Sequence, residues 1–438
     1  MKRGLIVDSL WCMALSIFVL MGIRLVPLHG DEPTLIFMGR DFYYHLQGNT
    51  SQIGFQDWEA LTGEAATEQQ LRLINGTLPK YLYGAIAYFS GYAIDDINQQ
   101  WAWGLGWDWN FDNGHVPPDA LLYRTRLVSA GLLAVSALAL FGIGHIIAGR
   151  AVAMIASAYY VLNPAILMNG RRAMMEGSML AFTLLALLIA LQLLKHRSWW
   201  WYIILGIVSG LAVASKHTAI VTIAAIFISC SIYLLLKEKD RFQPILRLIG
   251  AGVVSLIVFF VLNPAWWSDP LGAMRATLDL RGDLLSSQVG FFGGYGSRLE
   301  QVQGFANQSF IVTPMYAESD LDGFISNQTD IIAQYQASPF SGISIGGSWL
   351  GGLLLAVLTI IGAINLWLSS HIESSTKWIM TAWLIAMVAL TLGLTPLEWQ
   401  RYYIPIYPVI GLLSALGIVY SVTIVKNSNI TSTQAHES

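Results

Sequence analysis

The chain has 438 residues, of which 55% are hydrophobic and 12% charged, with a mean hydropathy of +0.55. Soluble globular chains carry roughly a quarter charged residues, so this composition excludes a soluble multidomain protein and implies an integral membrane protein. The 24 Lys and Arg against 27 Asp and Glu leave a net charge of −3, which offers no basic face for nucleic acid, and Cys12 and Cys230 lie in apolar runs that imply no disulfide framework.

A helix crosses the hydrocarbon core with about 20 apolar residues. In chain order, residues 1–28 hold the first expected transmembrane helix, with its apolar run over 5–28. Residues 29–123 form a long segment with an Asp31-Glu32 pair at its start and an apolar stretch over 77–94, which reads as a helix lying at the membrane interface. A Trp-rich stretch over 101–112 suits an interfacial or sugar-facing loop or an aromatic belt. Residues 124–265 carry helices two to seven, over 124–147, 151–168, 173–194, 199–215, 217–236 and 247–265. Residues 266–347 form a second long segment, with Gly290, Gly293, Gly294 and Gly296 marking turns, and are too long for a plain connection. Residues 348–424 carry helices eight to ten, over 348–368, 377–394 and 402–424, and 425–438 form a tail. The expected fold class is therefore all-α, with about ten transmembrane helices and two long extracytoplasmic loops.

Orientation follows from Lys and Arg in the short connections. With the N-terminus inside, Lys2, Arg3, Arg150, Lys195, Arg197, Lys237, Lys239, Arg241, Arg247, Lys377 and Lys426 are inner, against Arg171, Arg172, Lys216 and Arg401 on the other side. Both termini are then cytoplasmic, and both long segments face out of the cell. Asp8, Glu238, Asp240, Glu373 and Glu437 lie on or near the inner side, and every other acid falls on or near the outer side. Soluble loops need charge, which explains most of that excess.

Helices that start at the outer face present their positive dipole end there. Yet Arg124 and Arg126, Arg171 and Arg172, Lys216, and Arg401 begin four of the five such helices. Cations at positive helix ends call for an anion between them, such as a lipid phosphate, although ordinary contact with headgroups is the simpler alternative. Arg172 and Glu176 stand at i,i+4 and can meet on one face of a helix. Arg24 is placed to snorkel to the surface and Asp8 to cap the inner end of the first helix. Asp31 and Glu32 come where the chain has just left the membrane, so a carboxylate there can act on a group held at the boundary. His29, His45, His115 and His217 are scattered on the outer side, so no metal site is evident.

At these residues the sequence resembles a GT-C glycosyltransferase of the phospholipid carrier-dependent branch, which holds protein O-mannosyltransferases and aminoarabinose transferases. That branch has an Asp-Glu pair after its first helix, matched by Asp31-Glu32. Its His-Pro-Pro-Leu-x-Lys-Tyr-Leu stretch is met at Leu78, Lys80, Tyr81 and Leu82, without the His-Pro-Pro. A small-residue–Arg–x–x–x–acid element appears as Arg171, Arg172 and Glu176, and Gly-Leu-Ala-x-x-x-Lys as Gly210-Leu211-Ala212 with Lys216. Pro264, Trp267, Asp269 and Pro270 match a Pro-x-x-Trp-x-Asp-Pro element, and Arg401-Tyr402 with Pro405 resembles the family's Arg-Tyr-x-x-Pro ending.

The resemblance implies a multi-pass enzyme of the cell membrane with its active site on the extracytoplasmic side. It would be an inverting hexosyl- or pentosyltransferase, moving a monosaccharide from a polyprenyl-phosphate carrier to a hydroxyl on a protein, lipid or glycan. Its partners are the lipid-linked donor, membrane lipids and that acceptor, with no nucleic acid. No cofactor is evident, and some relatives bind a divalent cation. Asp31 is the expected general base, with Glu32 holding the acceptor or serving structure. Glu176 is expected to orient an arginine, and Lys80, Arg171, Arg172, Lys216 and Arg401 to bind the donor phosphate, with Arg172, Lys216 and Arg401 converging on it. Residues 266–347 are expected to fold over the active site and help select the acceptor. The rival reading is a transporter or flippase of an anionic lipid-linked sugar; the absence of an inverted repeat opposes it.

Overall fold

A computed structural model describes residues 2–57, 61–237 and 239–436, with side chains from Gly4 to Ile424. Glu238 and Glu437, and the side chains of Lys2, Arg3 and Lys426, lie outside the described residues. Twenty α-helices are described, and no strand is found among the described residues. They are α1 Lys2–Met21, α2 Asp31–Phe37, α3 Arg40–Leu46, α4 Gly63–Ile74, α5 Thr77–Phe89, α6 Trp107–Asp112, α7 Asp119–Ala148, α8 Arg150–Leu162, α9 Pro164–Arg171 and α10 Glu176–His196. The remainder are α11 Trp199–Ser215, α12 Ala219–Lys237, α13 Phe242–Leu262, α14 Pro270–Phe292, α15 Arg298–Ala306, α16 Thr329–Ala337, α17 Trp349–Leu368, α18 Ser374–Val388, α19 Gln400–Tyr403 and α20 Tyr407–His436.

Eight stretches among the described residues are long and apolar enough to cross a membrane, and a ninth is the bent pair α8–α9. The stretch expected as one span over 151–168 breaks by 64° at Asn163-Pro164. Proline has no N–H for a continuing helix, and the Asn163 side chain caps the new one by accepting from the N–H groups of Ala165 and Ile166. The 199–215 stretch is a shorter apolar helix of 17 residues, α11.

The buried helix α10 packs on α7, α11 and α12. α7 also packs on α1 and α8, and α20 packs on α8 and α17. The α17–α20 contact depends on Gly362 and Gly417: a Cβ on Gly362 would stand 1.8 Å from the Leu413 carbonyl oxygen, and one on Gly417 2.1 Å from that of Leu358. Backbones approach this closely only across small residues. α13 packs chiefly on α11 and exposes Phe242, Leu246, Ile249, Leu256 and Ile257, as a lipid-facing helix does. Near the N-terminal end of α1, Asp8 pairs with Arg150 at 2.6 Å; the expectation of a helix cap there is corrected. Arg24 lies 4.4 Å over the Tyr123 ring.

The long segments 29–123 and 266–347 meet at one end of the bundle. α5, expected as a bare interfacial helix, packs against α2, α3, α7 and α11 and buries Lys80 and Tyr83. In the Trp-rich stretch, Trp101 is buried, with its ring 4.7 Å from Phe324. The Asp322 carboxylate accepts from Trp101 Nε1 (3.0 Å) and from the N–H groups of Gly104 (2.9 Å) and Gly106 (3.2 Å), which latches the two segments together. Gln328 adds a reciprocal pair, accepting from Leu28 N–H (2.7 Å) and donating to the Leu28 carbonyl (2.9 Å).

Candidate active site

The chain leaves α1 through a short 3-10 turn and opens α2 with Asp31 and Glu32 side by side. Adjacent positions on a helix point about 100° apart, and the two carboxylates part accordingly. Glu32 is fully buried, and Arg126 of α7 grips it with both nitrogens, Nε to Oε1 at 2.7 Å and Nη2 to Oε2 at 2.6 Å. Glu32 also accepts from the N–H groups of Ala173 (2.8 Å) and His29 (3.1 Å). Burial opposes its charge, and Arg126, Arg172 and the Ala173 N–H outweigh that and hold it below the usual carboxylate range. No open oxygen is left to handle an acceptor, so the expected catalytic role for Glu32 is corrected to a structural one.

Asp31 keeps 28% of its side chain exposed and pairs with Arg401. Arg401 also forms an ion pair with Glu318, Nε to Oε1 at 2.9 Å, without hydrogen-bond geometry. His29 Nε2 lies 2.7 Å from the other Glu318 oxygen, and His29 Nδ1 accepts from the Asp31 N–H at 3.1 Å. Because Nδ1 accepts, the ring proton sits on Nε2 and is donated to Glu318. Burial works against ionisation of Asp31; Arg401 and His29 overcome it and hold the carboxyl below its ordinary value, with Glu318 pulling the other way. Glu318, too, is held well down, by Arg401 and His29 against burial.

The structure does not bring Arg171 or Arg172 to this place. Arg171 is buried and donates to the carbonyls of Val19 (2.8 Å), Phe18 (2.9 Å) and Phe340 (2.5 Å), closing the end of α1. Gly22 makes room for it, since a Cβ there would stand 2.4 Å from the guanidinium carbon. Arg172 donates to the carbonyls of Pro27 (3.1 Å) and Tyr316 (2.6 Å). Their expected phosphate role is corrected: both are consumed by backbone carbonyls, and they end α9 rather than begin α10. The expected Arg172–Glu176 pair is absent, because α9 stops at Arg171 and α10 starts at Glu176, so i,i+4 geometry never forms. Glu176 instead accepts from Lys216 at 2.7 Å, and its second oxygen has no partner among the described residues. The expected arginine-orienting role passes to holding Lys216.

Lys216 and Arg401 share a neighbour, since Glu176, which Lys216 holds, is also within electrostatic reach of Arg401. Lys80 is buried and pairs with Asp41 at 2.8 Å, which Arg72 also holds at 2.9 Å. It is therefore spent on a carboxylate, although it lies within electrostatic reach of His217. Burial, aided by Arg281 and Lys80, pushes the His217 imidazole down to about 4, so it is neutral at pH 7, and neither ring nitrogen has a hydrogen-bond partner among the described residues.

Sequence reasoning missed Glu318 and Arg281. Glu318 stands in the second long segment with no motif around it. Arg281 lies on α14, half-buried, within electrostatic reach of Asp31, Arg401 and Tyr402, and makes no hydrogen bond or ion pair among the described residues. Lys80, Lys216 and Arg401 each have a carboxylate partner, and Arg281 has none among the described residues. Among those residues, no three His, Cys, Asp or Glu side chains group as metal ligands.

Residues 122–267 match the family described as dolichyl-phosphate-mannose-protein mannosyltransferase. The structure of ArnT from Cupriavidus metallidurans bound to undecaprenyl phosphate superposes with a TM-score of 0.55 at 11% identity, covering 99% of this chain and 64% of that one. The oligosaccharyltransferase of Archaeoglobus fulgidus, in complex with zinc and sulfate, superposes with a TM-score of 0.52 at 14% identity, over 94% of this chain and 49% of that one. The chain thus spans 64% and 49% of the length of these proteins. A sequence comparison with curated proteins gives no match. The chain thus shares the fold of these two membrane proteins, and its central helices match the mannosyltransferase family.

Proposed function

We propose that the protein is an inverting glycosyltransferase that moves a monosaccharide from a polyprenyl-phosphate carrier to a hydroxyl acceptor, at the extracytoplasmic face of the membrane. The observation that carries this reading is a partly exposed carboxylate, Asp31, facing cations from separate elements, one of which, Arg281, has no counter-ion. One unpaired guanidinium matches the single negative charge of a phosphodiester. The undecaprenyl phosphate bound to ArnT is a ligand of the same class.

In the reaction, the acceptor oxygen attacks the anomeric carbon and its proton passes to an Asp31 oxygen. The bond from that carbon to the phosphate oxygen breaks, and its electron pair leaves with the phosphate. Arg281, Lys216 and Arg401 stabilise the charge that develops there. Neutral His217 can donate one ring N–H to a phosphate oxygen. The first prenyl units enter a narrow cleft between α10, α12, α18 and α20, lined by Met179, Leu184, Thr222, Trp383, Leu390 and Pro408. The second long segment supplies Arg281 and Glu318, and we assign acceptor selection to it as well.

The test is transfer of label from an undecaprenyl-phosphate sugar, with the purified chain in lipid vesicles, to a panel of peptide, glycolipid and oligosaccharide acceptors. Asp31-dependent transfer supports the reading. Movement of the lipid-linked sugar across the bilayer with no transfer would replace it with the transporter reading.

A further inference from the structure

Four groups close a ring around the base. Arg401 Nη1 holds the Asp31 carboxylate, Arg401 Nε holds Glu318 at 2.9 Å, Glu318 accepts from His29 Nε2 at 2.7 Å, and the Asp31 N–H donates to His29 Nδ1 at 3.1 Å. The ring joins three distant parts of the chain: the exit from α1, the second long segment, and α19. Arg172 keeps the second of these in place by holding the Tyr316 carbonyl, two residues before Glu318. The ring sets two carboxylates against the Arg401 guanidinium.

This resting geometry is a poor one for catalysis. A carboxylate paired with a guanidinium gives up basicity, because the cation favours the charged form over the protonated product. Asp31 therefore needs Arg401 to withdraw before it can take a proton. Arg401 has two edges, and only the Nη edge touches Asp31. Glu318 pins the Nε edge, so the guanidinium can turn toward a new anion without leaving the site.

Resting on the functional reading above, we propose that the ring is a donor-gated latch, with Glu318 as the positioning residue that anchors Arg401 while the donor phosphate draws its Nη edge away from Asp31. The base is then inert in the free enzyme and active only with donor bound. The charged and titratable groups facing Asp31 are Arg401, His29, Glu318, Arg281 and Tyr402, and Glu176 faces Arg401. Of these, Arg401 is the one whose contact with Asp31 the phosphate exchanges.

The experiment compares two pH–rate profiles of the full chain in vesicles, with an undecaprenyl-phosphate sugar as donor. The profile of kcat/KM for the donor reports the free enzyme, and that of kcat/KM for the acceptor at saturating donor reports the donor complex. The acid limb should lie about one pH unit or more higher in the donor complex, a tenfold change in the basicity of Asp31. In Glu318→Gln, Arg401 has one carboxylate left and stays on Asp31. The two limbs should then close together, and kcat should fall about tenfold with the donor KM unchanged or lower. His29→Gln keeps a donor to Glu318 and should preserve the gap. Coincident limbs in the unmodified protein would overturn the latch, and so would a Glu318→Gln variant that loses kcat with both limbs unmoved. Absence of any Asp31-dependent transfer would overturn the functional reading itself.

Discussion

Arg281→Ala removes a cation that the fold does not use. The guanidinium is half-buried on α14 and has no ion-pair or hydrogen-bond partner among the described residues, so its loss strands no carbonyl and no carboxylate. The other cations differ. Lys216→Ala would leave Glu176 buried with both oxygens bare, and Arg401→Ala would uncover Asp31 and Glu318 together. Arg281 thus reports on phosphate binding without a confounding loss of structure. A hydrogen bond to a charged group contributes about 1.5–3 kcal/mol, and a factor of ten in binding is about 1.4 kcal/mol. Undecaprenyl phosphate should therefore bind Arg281→Ala about ten- to a hundredfold more weakly. Arg281→Lys should recover part of that, since it restores the charge but not the planar fork. The assay is equilibrium titration of undecaprenyl phosphate into the detergent-solubilised protein, paired with a thermal melt of each variant. Binding within twofold of the unmodified protein would refute the assignment of Arg281 to the phosphate, and a lowered melting temperature would show that it serves the fold.

Glu32→Ala should destabilise the protein by about 3–5 kcal/mol, because it leaves Arg126 buried without its counter-ion; chemical denaturation in detergent reads this, and unchanged stability with lost activity would return Glu32 to the catalytic machinery. The same carboxylate predicts an acid limit to stability. Its folded pKa is depressed, so its contribution is present above the ordinary carboxylate value and disappears as pH falls below about 4; melting temperature against pH should drop there, and less so in Glu32→Gln. Arg171→Ala strands the carbonyls of Phe18, Val19 and Phe340 and should cost about 3 kcal/mol or more of stability, while the folded fraction binds undecaprenyl phosphate normally. Exchanging residues 266–347 between relatives, with Arg281 and Glu318 kept, should change acceptor preference and leave donor hydrolysis intact, as measured by product analysis.

What the sequence made legible was what depends on local composition. Apolar runs of bilayer length announce spans, and Asp31 and Arg401 stand out as charges at the ends of such runs. What it hid depends on contacts across the chain. Arg172 and Glu176 have helical spacing, but Asn163-Pro164 starts a short helix that ends at Arg171, so the spacing falls across a helix break. Both arginines then meet backbone carbonyls, which carry no signature in side-chain pattern. Lys80 lost its expected role to Asp41, an acid nearly forty residues earlier that α3 brings beneath α5. Glu318 sits in a polar stretch like any other loop acid, and contacts from far along the chain, the Arg172 clamp on Tyr316 and His29 among them, set it against Arg401. Arg281 is one of several charges on α14, and nothing local marks it as the one left unpaired.

The central claim is that Asp31 is the base. Asp31→Asn keeps size and hydrogen bonding while removing the proton-accepting oxygen, and Glu32, locked to Arg126, cannot replace it. The most direct measurement is transfer from an undecaprenyl-phosphate sugar by this variant, alongside its affinity for undecaprenyl phosphate. The account predicts that transfer is abolished while the protein folds and binds the lipid phosphate at least as tightly as before, since Arg401 is released to the donor. Near-normal turnover by Asp31→Asn would contradict it.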